Sequence, residues 1–393
     1  PAHAPLCSWR SEVAARRDET SASCVSLDGQ WQFELFSRPE DVPENWPEQT
    51  QKLSTIVVPG HWQLQGFDRP IYTNVQYPFP CDPPRVPEQN STGCYLRSFS
   101  LDEDWLASQQ LRVIFDGVDS AFYLWCNDVW VGYSQDSRLP AEFDLTDHLR
   151  AGANTLKLVV LRYCDGSYLE DQDMWNLSGI YRSVTLLRKP QARITDLRVT
   201  ASLDDRYEDG VLNVRVITEG ARDCQIVLGL FDTTDLSRSV IPDTPENMAT
   251  RQIDERGGYA NRCEVTQHIA SPRAWSAEQP ALYRLTVSLL SADGQVIEVE
   301  ACDVGFRTVE IIEGQLCLNG QPLLIRGVNK HEHDPCTGHF EHIADVERDL
   351  RLMKQHNFNA VRCSHYPHQP GFISCVIGWV CMWSMKPISK PMA

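Results

Sequence analysis

From about residue 25 to residue 190 the chain runs in short apolar stretches separated by turn chemistry, with tryptophans throughout. One hairpin is spelled out. Residues 121–126 (Ala-Phe-Tyr-Leu-Trp-Cys) lead into Asn127-Asp128, a two-residue turn that tolerates positive φ, and residues 129–133 (Val-Trp-Val-Gly-Tyr) return. A turn at residues 151–154 precedes another apolar stretch at 155–162, and Val184-Thr-Leu-Leu187 closes the region. Regularly spaced short strands with few helical stretches predict a β-sandwich of the jelly-roll type over residues 25–190, behind an N-terminal segment of residues 1–24.

Lys189-Pro190 punctuates the chain, and a second set of strands begins. Residues 194–200 and 211–217 alternate apolar with polar, and residues 282–290 turn at Asp293-Gly294 into residues 296–300. That spacing predicts an immunoglobulin-like sandwich over 191–307 whose polar faces are solvated. After Gly305-Phe306-Arg307 the grammar becomes strand, helix, strand. Residues 323–328 read as a buried-type strand. Residues 345–355 read as an amphipathic helix, with Asp345 at its N-cap and Val346, Leu350 and Met353 on its apolar face. Residues 360–363 read as the next strand. The expected fold is therefore mostly β, two sandwiches followed over 308–370 by the first βαβ unit of an incomplete TIM barrel.

Length and charge narrow the partners. At 393 residues the chain suits two to three domains, and its net charge of −17 argues against nucleic acid or an anionic membrane surface. No apolar stretch is long enough to span a bilayer. The start, Pro1-Ala-His-Ala-Pro-Leu-Cys-Ser-Trp9, lacks an initiator Met and shows no basic start before an apolar run, so no secretory signal is visible. The 14 cysteines are scattered without a C-x-x-C pair, which reads as reduced thiols in a cytoplasmic protein.

Candidate chemistry gathers where strands end. In a barrel the carboxyl ends of the strands form the active face, so residues 329–333 and 364–366 are expected to look into one pocket. A histidine there, His365 above all, can hydrogen-bond a sugar hydroxyl or stabilise developing charge; the alternative is that it satisfies a backbone carbonyl. His331-Glu332-His333 invites a zinc reading but lacks the helical H-E-x-x-H spacing and a third ligand nearby. Residues 165–175 (Asp-Gly-Ser-Tyr-Leu-Glu-Asp-Gln-Asp-Met-Trp) combine carboxylates with aromatic faces, as a sugar or hard-cation site needs; a solvated acidic loop is the equal alternative.

Tyr72-Thr-Asn-Val75, Gly117-Val-Asp-Ser-Ala-Phe122, residues 165–175, residues 326–333 (Arg-Gly-Val-Asn-Lys-His-Glu-His) and residues 360–367 (Ala-Val-Arg-Cys-Ser-His-Tyr-Pro) together resemble the large bacterial β-galactosidases of glycoside hydrolase family 2. The likeness runs from about residue 8 to residue 370. It implies a jelly-roll sugar-binding domain, an immunoglobulin-like sandwich and a TIM barrel, a cytoplasmic homotetramer, and retaining hydrolysis of terminal β-galactosides such as lactose with Mg²⁺ and Na⁺. By the same resemblance, Asn74 and Asp173 reach the galactose and Asp173 also ligates Na⁺. His365 contacts the sugar and stabilises the transition state, and Gln135 and Asp165 match ligands of a peripheral Mg²⁺ whose other ligands have no counterpart here. The two catalytic glutamates and the catalytic Mg²⁺ ligands of the family lie on later barrel strands, and after Asp349 this sequence has no acidic residue. The 393 residues alone are therefore expected to be inactive, a carbohydrate-binding or structural fragment.

Residues 371–393 break the pattern, with three of the six methionines in the last twelve residues. Back-translated and read one base earlier, Trp379-Val380 forces a Gly codon, Met382-Trp383 a Val codon, Met385-Lys386 a Glu codon and Met392-Ala393 a Gly codon, each where the family has that residue. The expectation is a frameshift near codon 370 and an out-of-frame tail. The two sandwiches are expected to fold, with residues beyond about 310 disordered, aggregation-prone or adventitiously docked.

Overall fold

The computed structural model describes residues 3, 5–46, 53–74, 76–107, 109–242, 246–247, 252–253, 259–379 and 382–385. Alternation along the early strands closes the first sandwich from two antiparallel sheets. One has the order Cys24–Ser26, Val184–Pro190, Gln109–Phe115, Ala141–Asp144; the other runs Ser54–Val58, Gly29–Phe36, Thr92–Leu101, Gly152–Leu161, Ala121–Cys126, Val129–Gln135. Trp31, Phe33, Tyr95, Phe115, Phe122 and Leu158 fill the space between them. The hairpin expected at Asn127-Asp128 is present, with φ of 50° and 66° at the two turn residues, the left-handed pair that matches strand twist.

The second sandwich pairs Arg193–Leu203, Gly210–Glu219 and Tyr259–Ile269 in one sheet and Asp235–Ser239, Gln225–Asp232, Tyr283–Leu290 and Val296–Val304 in the other. Its polar face is not wholly solvated. Glu298 and Glu300, alternate residues on one strand, are buried against Lys189, which is itself fully buried in the first sandwich's strand Val184–Pro190. The Lys189 ammonium lies 2.7 Å from a carboxylate oxygen of each. The remaining acceptors are satisfied by backbone: Glu298 accepts from the N–H of Ile194 at 2.7 Å, and Glu300 accepts from Cys7 and Ser8 at 2.8 and 3.0 Å. Such a group of charges tolerates burial only because every partner is in place. It joins the two sandwiches and holds the N-terminal segment, which adds reciprocal backbone bonds between Trp9 and Val299.

Beyond residue 308 the structure differs from expectation. A hairpin of Val309–Ile312 and Gln315–Leu318 leads to a parallel sheet in which Ala360–Cys363 lies between Gly327–Lys330 and Met382–Met385. Helices Ile343–Gln355 and Pro370–Trp379 cover it, burying Val346, Leu350, Val361, Cys363, Phe372 and Val376 in one cluster. Two strands that looked bare are therefore packed, because the residues after Pro370 are apolar enough to form a covering helix. Residues 380–381 and 386–393 of the tail lie outside the described residues, as does Val75.

The first strand begins later than the apolar run 323–328 suggests. Leu324 and Ile325 are 67% and 56% exposed, since the parallel partner pairs only with Gly327–Lys330. The Asn359 side chain instead bonds the carbonyl of Leu324 and the N–H of Arg326. The helix likewise starts two residues before Asp345, with His342 at the N-cap, while Asp345 sits in the first turn and pairs with Arg348 at 2.7 Å.

Replacing Lys189 by Met is expected to leave two buried carboxylates facing each other and to cost about 3–5 kcal/mol of unfolding free energy. Urea unfolding checks this; a loss below about 1 kcal/mol would show that the junction is not held by these charges.

Candidate functional site

The α/β unit docks on the first sandwich through buried arginines. Arg182, two residues before strand Val184–Pro190, ion-pairs with Glu332 at 2.7 Å and donates to the Pro367 carbonyl at 2.7 Å. Thus it grips the segments that follow both barrel strands. Glu332 uses its other oxygen to accept from the N–H of Gln369 at 2.7 Å, and its own N–H donates to the Tyr366 hydroxyl at 3.1 Å. Both carboxylate oxygens are thereby committed within the protein. Arg138 stacks over the Tyr366 ring at 4.5 Å and the Tyr181 ring at 5.1 Å, and pairs with Asp119 at 3.4 Å. Burial raises the Asp119 pKa to about 7, with Arg138 opposing the shift.

Two histidines complete this joint. His61 is buried; its Nε2 accepts from the backbone N–H of His339 at 3.1 Å and its Nδ1 lies 3.3 Å from the Ser178 carbonyl. Those two bonds assign the neutral Nδ1–H tautomer, and burial pushes the His61 pKa down to about 3. His368, buried between Tyr366 and Phe372, is lowered to about 4, again mainly by burial.

Against this frame the sugar-contact candidates fall at one edge. Strands Ile71–Thr73 and Met174–Asn176 pair with Thr73 opposite Met174, so Asn74 and Asp173 are the next residues out on the two strands. Both are exposed. Asp173 accepts from the Tyr72 hydroxyl at 2.5 Å, and Tyr72 packs against Trp175 with ring centroids 5.5 Å apart. His365 is half-buried and its ring lies 5.7 Å from that of His331. Burial, then His365 and Arg138, lower the His331 pKa, while Asp173 opposes them. Asp173 is thus within electrostatic reach of His331. Gln135 lies apart from this edge, its side chain accepting from the Tyr133 hydroxyl at 2.8 Å, and Asp165 accepts from the N–H of Gly166 at 3.0 Å. A polar cavity of about 40 Å³ lies behind the ladder, lined by Asp119, Arg138, Arg162, Glu170 and Met174 among others.

This edge combines exposed aromatic faces, a carboxylate and two imidazoles, a set that can stack on the apolar side of a pyranose and hydrogen-bond its hydroxyls. Among the described residues no group of three or more His, Cys, Asp or Glu side chains is arranged to hold a metal. No helix among them is long and apolar enough to cross a membrane. Tyr366 lies in the segment expected to face the pocket, whereas Arg138, Arg182 and His61 escaped the sequence reading because single polar residues between turn segments carry no periodic signal.

Comparison with known proteins agrees in order along the chain. Residues 24–190 match the sugar binding domain of glycosyl hydrolases family 2, residues 192–307 match the model described as glycosyl hydrolases family 2, and residues 309–377 match the family's TIM barrel domain. The chain belongs to glycoside hydrolase family 2. The barrel match runs seven residues past Pro370, into the segment read as out of frame. Among family members, a beta-galactosidase of Aeromonas hydrophila is 55% identical over 379 residues, covering 94% of this chain and 37% of its own length. Beta-galactosidases of Enterobacter cloacae and Pectobacterium atrosepticum are 54% and 52% identical, again over 94% of this chain and 36% of theirs. The chain therefore spans little more than a third of the length of the curated relatives it matches. Solved family 2 structures share the fold. The Bifidobacterium dentium beta-glucuronidase complexed with coumarin-3-O-glucuronide aligns with TM-score 0.77 at 21% identity over 94% of this chain and 62% of its own. A Bacteroides cellulosilyticus family 2 member aligns with TM-score 0.73 at 19% identity over 92% and 47%.

The histidine pKa values set a pH dependence. Both His61 and His368 are held below the ordinary value, so between about pH 6.5 and the folded values of about 3 and 4 the unfolded chain binds protons that the folded chain refuses. These two histidines are expected to cost stability as pH drops through that window, while Asp119, held up at about 7, takes up a proton and opposes them; urea midpoints of the wild type and a His61→Gln variant across it check the histidine share, the variant losing less stability on acidification. Replacing Arg182 by Met should strand Glu332 and cost about 3–5 kcal/mol. Limited proteolysis should then cut within residues 323–379 before either sandwich.

Proposed function

We propose that the chain is the sugar-recognising portion of a β-galactosidase, which hydrolyses terminal non-reducing β-D-galactose from β-galactosides such as lactose with retention. The observation that carries this reading is the 55% identity, over 379 residues, to a protein named beta-galactosidase. In this reading Asn74 and Asp173 hold galactose hydroxyls from the first sandwich, and His365 contacts the sugar from the barrel and stabilises charge in the transition state. Tyr72 and Trp175, packed together at 5.5 Å beside Asp173, offer aromatic surface to the ring. The enzyme is cytoplasmic, and the whole protein is a homotetramer.

The metals of the reading fit unequally. A sodium ion takes hard oxygen ligands, and Asp173 is an exposed carboxylate with one oxygen bonded by Tyr72 and, among the described residues, no bond at the other. When bound there, Na⁺ would fix the orientation of that carboxylate and a sugar hydroxyl. The peripheral Mg²⁺ fits poorly. Gln135 accepts from Tyr133 and Asp165 from the N–H of Gly166, and Mg²⁺ demands near-octahedral oxygen coordination that these two side chains do not supply.

A second reading is favoured by the carboxylates. Retaining hydrolysis needs two of them about 5 Å apart. Glu332 is tied to Arg182, Glu341 is ion-paired with Lys330, and no acidic residue follows Asp349. In this second reading these 393 residues bind sugar without cleaving it, a non-catalytic carbohydrate-binding or structural fragment.

Two measurements test both readings. A chromogenic β-galactoside is expected to give no turnover with the 393-residue chain, and measurable turnover would overturn the non-catalytic reading. Calorimetric titration with galactose is expected to show weak, millimolar-range binding that strengthens with Na⁺ and is lost in Asp173→Ala. Glucose and galactose binding alike would remove galactose recognition from this site.

A further inference from the structure

The thiols of Cys7 and Cys24 meet where the N-terminal segment crosses from the first sandwich to the second. Cys24 opens the edge strand Cys24–Ser26 of the four-stranded sheet. Cys7 is held against it because its N–H donates to Glu300 at 2.8 Å. The Cys24 thiol donates to the Cys7 carbonyl at 3.5 Å, so the two cysteines lie side by side. Both are half-buried, so a small reagent can reach them, whereas Cys94, Cys126 and Cys263 are buried in the cores. The neighbouring Cys7, with the Lys189 ammonium, lowers the Cys24 pKa against burial and Glu300, while Cys24, burial and Glu300 raise that of Cys7.

We propose that Cys7 and Cys24 are a reversible redox site, closed to a disulfide by a low-molecular-weight disulfide oxidant such as glutathione disulfide. The Cys24 thiolate attacks one sulfur of the oxidant, forming a mixed disulfide and releasing one thiolate, which takes up a proton. Cys7 then loses its proton and attacks the Cys24 sulfur, forming the Cys7–Cys24 bond and releasing the second thiol. Two protein thiols are oxidised and one disulfide is reduced to two thiols. The product ring contains the helix Glu12–Arg16, whose Ala15 carbonyl is already gripped by Arg284 of the second sandwich at 2.9 and 3.1 Å. Oxidation therefore clamps the segment that bridges the two sandwiches, around the buried Lys189 charge group.

The test incubates the native 393-residue chain with glutathione disulfide, alkylates the remaining thiols and maps peptides without reduction. The expected product is a single link between the peptides carrying Cys7 and Cys24, with a mass loss of about 2 Da that dithiothreitol reverses. A rise in Tm of about 5 °C should accompany it. In Cys7→Ser a mixed disulfide should persist at Cys24, and in Cys24→Ser the Cys7 thiol should stay unmodified. Links among the other cysteines in place of this one, or no link after equilibration, would overturn the proposal. The wild-type map alone decides the matter if either variant fails to fold.

Discussion

The Arg182–Glu332 ion pair is the constraint on which the candidate site depends. Both groups are almost wholly removed from water, so neither is tolerable without the other. The pair also fixes direction, because the same guanidinium donates to Pro367 and the same carboxylate accepts from Gln369. One arginine of the sandwich thereby holds the loops after both parallel strands, and those loops carry His331 and His365. Arg138 reinforces the arrangement from beside it, stacked on Tyr366.

The site is built from two parts that have no sheet in common. A two-strand ladder in the first sandwich carries Asn74 and Asp173 to its end, and a parallel sheet carries the histidines to its carboxyl edge. Neither part alone surrounds a sugar. Asp173 of the first sandwich lies close enough to His331 of the α/β unit to influence its pKa. The buried Lys189 group plays the corresponding role at the other junction and sets the two sandwiches against each other through side chains on alternate residues of one strand.

Local grammar was legible wherever one residue's neighbours decide its conformation. The Asn127-Asp128 turn, the strand Ala360–Cys363 and the apolar face of the helix through Val346 and Leu350 all follow from steric and burial preferences within a few residues. Two readings failed for a common reason. The apolar run at residues 323–328 looked buried, yet Leu324 and Ile325 face outward because their partner strand pairs further along. Glu298 and Glu300 looked solvated, yet they are sealed against a lysine from another domain. The segment after Pro370, read as lacking design, packs Phe372 and Val376 onto the sheet, since burial of apolar surface asks for little beyond hydrophobicity and roughly suitable size.

The sequence by itself determined the family, the order of sandwich, sandwich and α/β unit, and the residues Asn74, Asp173 and His365 as candidates, because motifs and periodicity are written in adjacent residues. It did not fix that Gln135 is bonded by Tyr133, nor that no metal-holding cluster of His, Cys, Asp and Glu forms among the described residues. Only the tertiary structure decided which charges are buried and with whom: Arg182 with Glu332 across 150 positions, and Lys189 with Glu300 across 111. Such pairings depend on how separate domains dock, and the free energy of burying a charge is set by the groups that meet it in space.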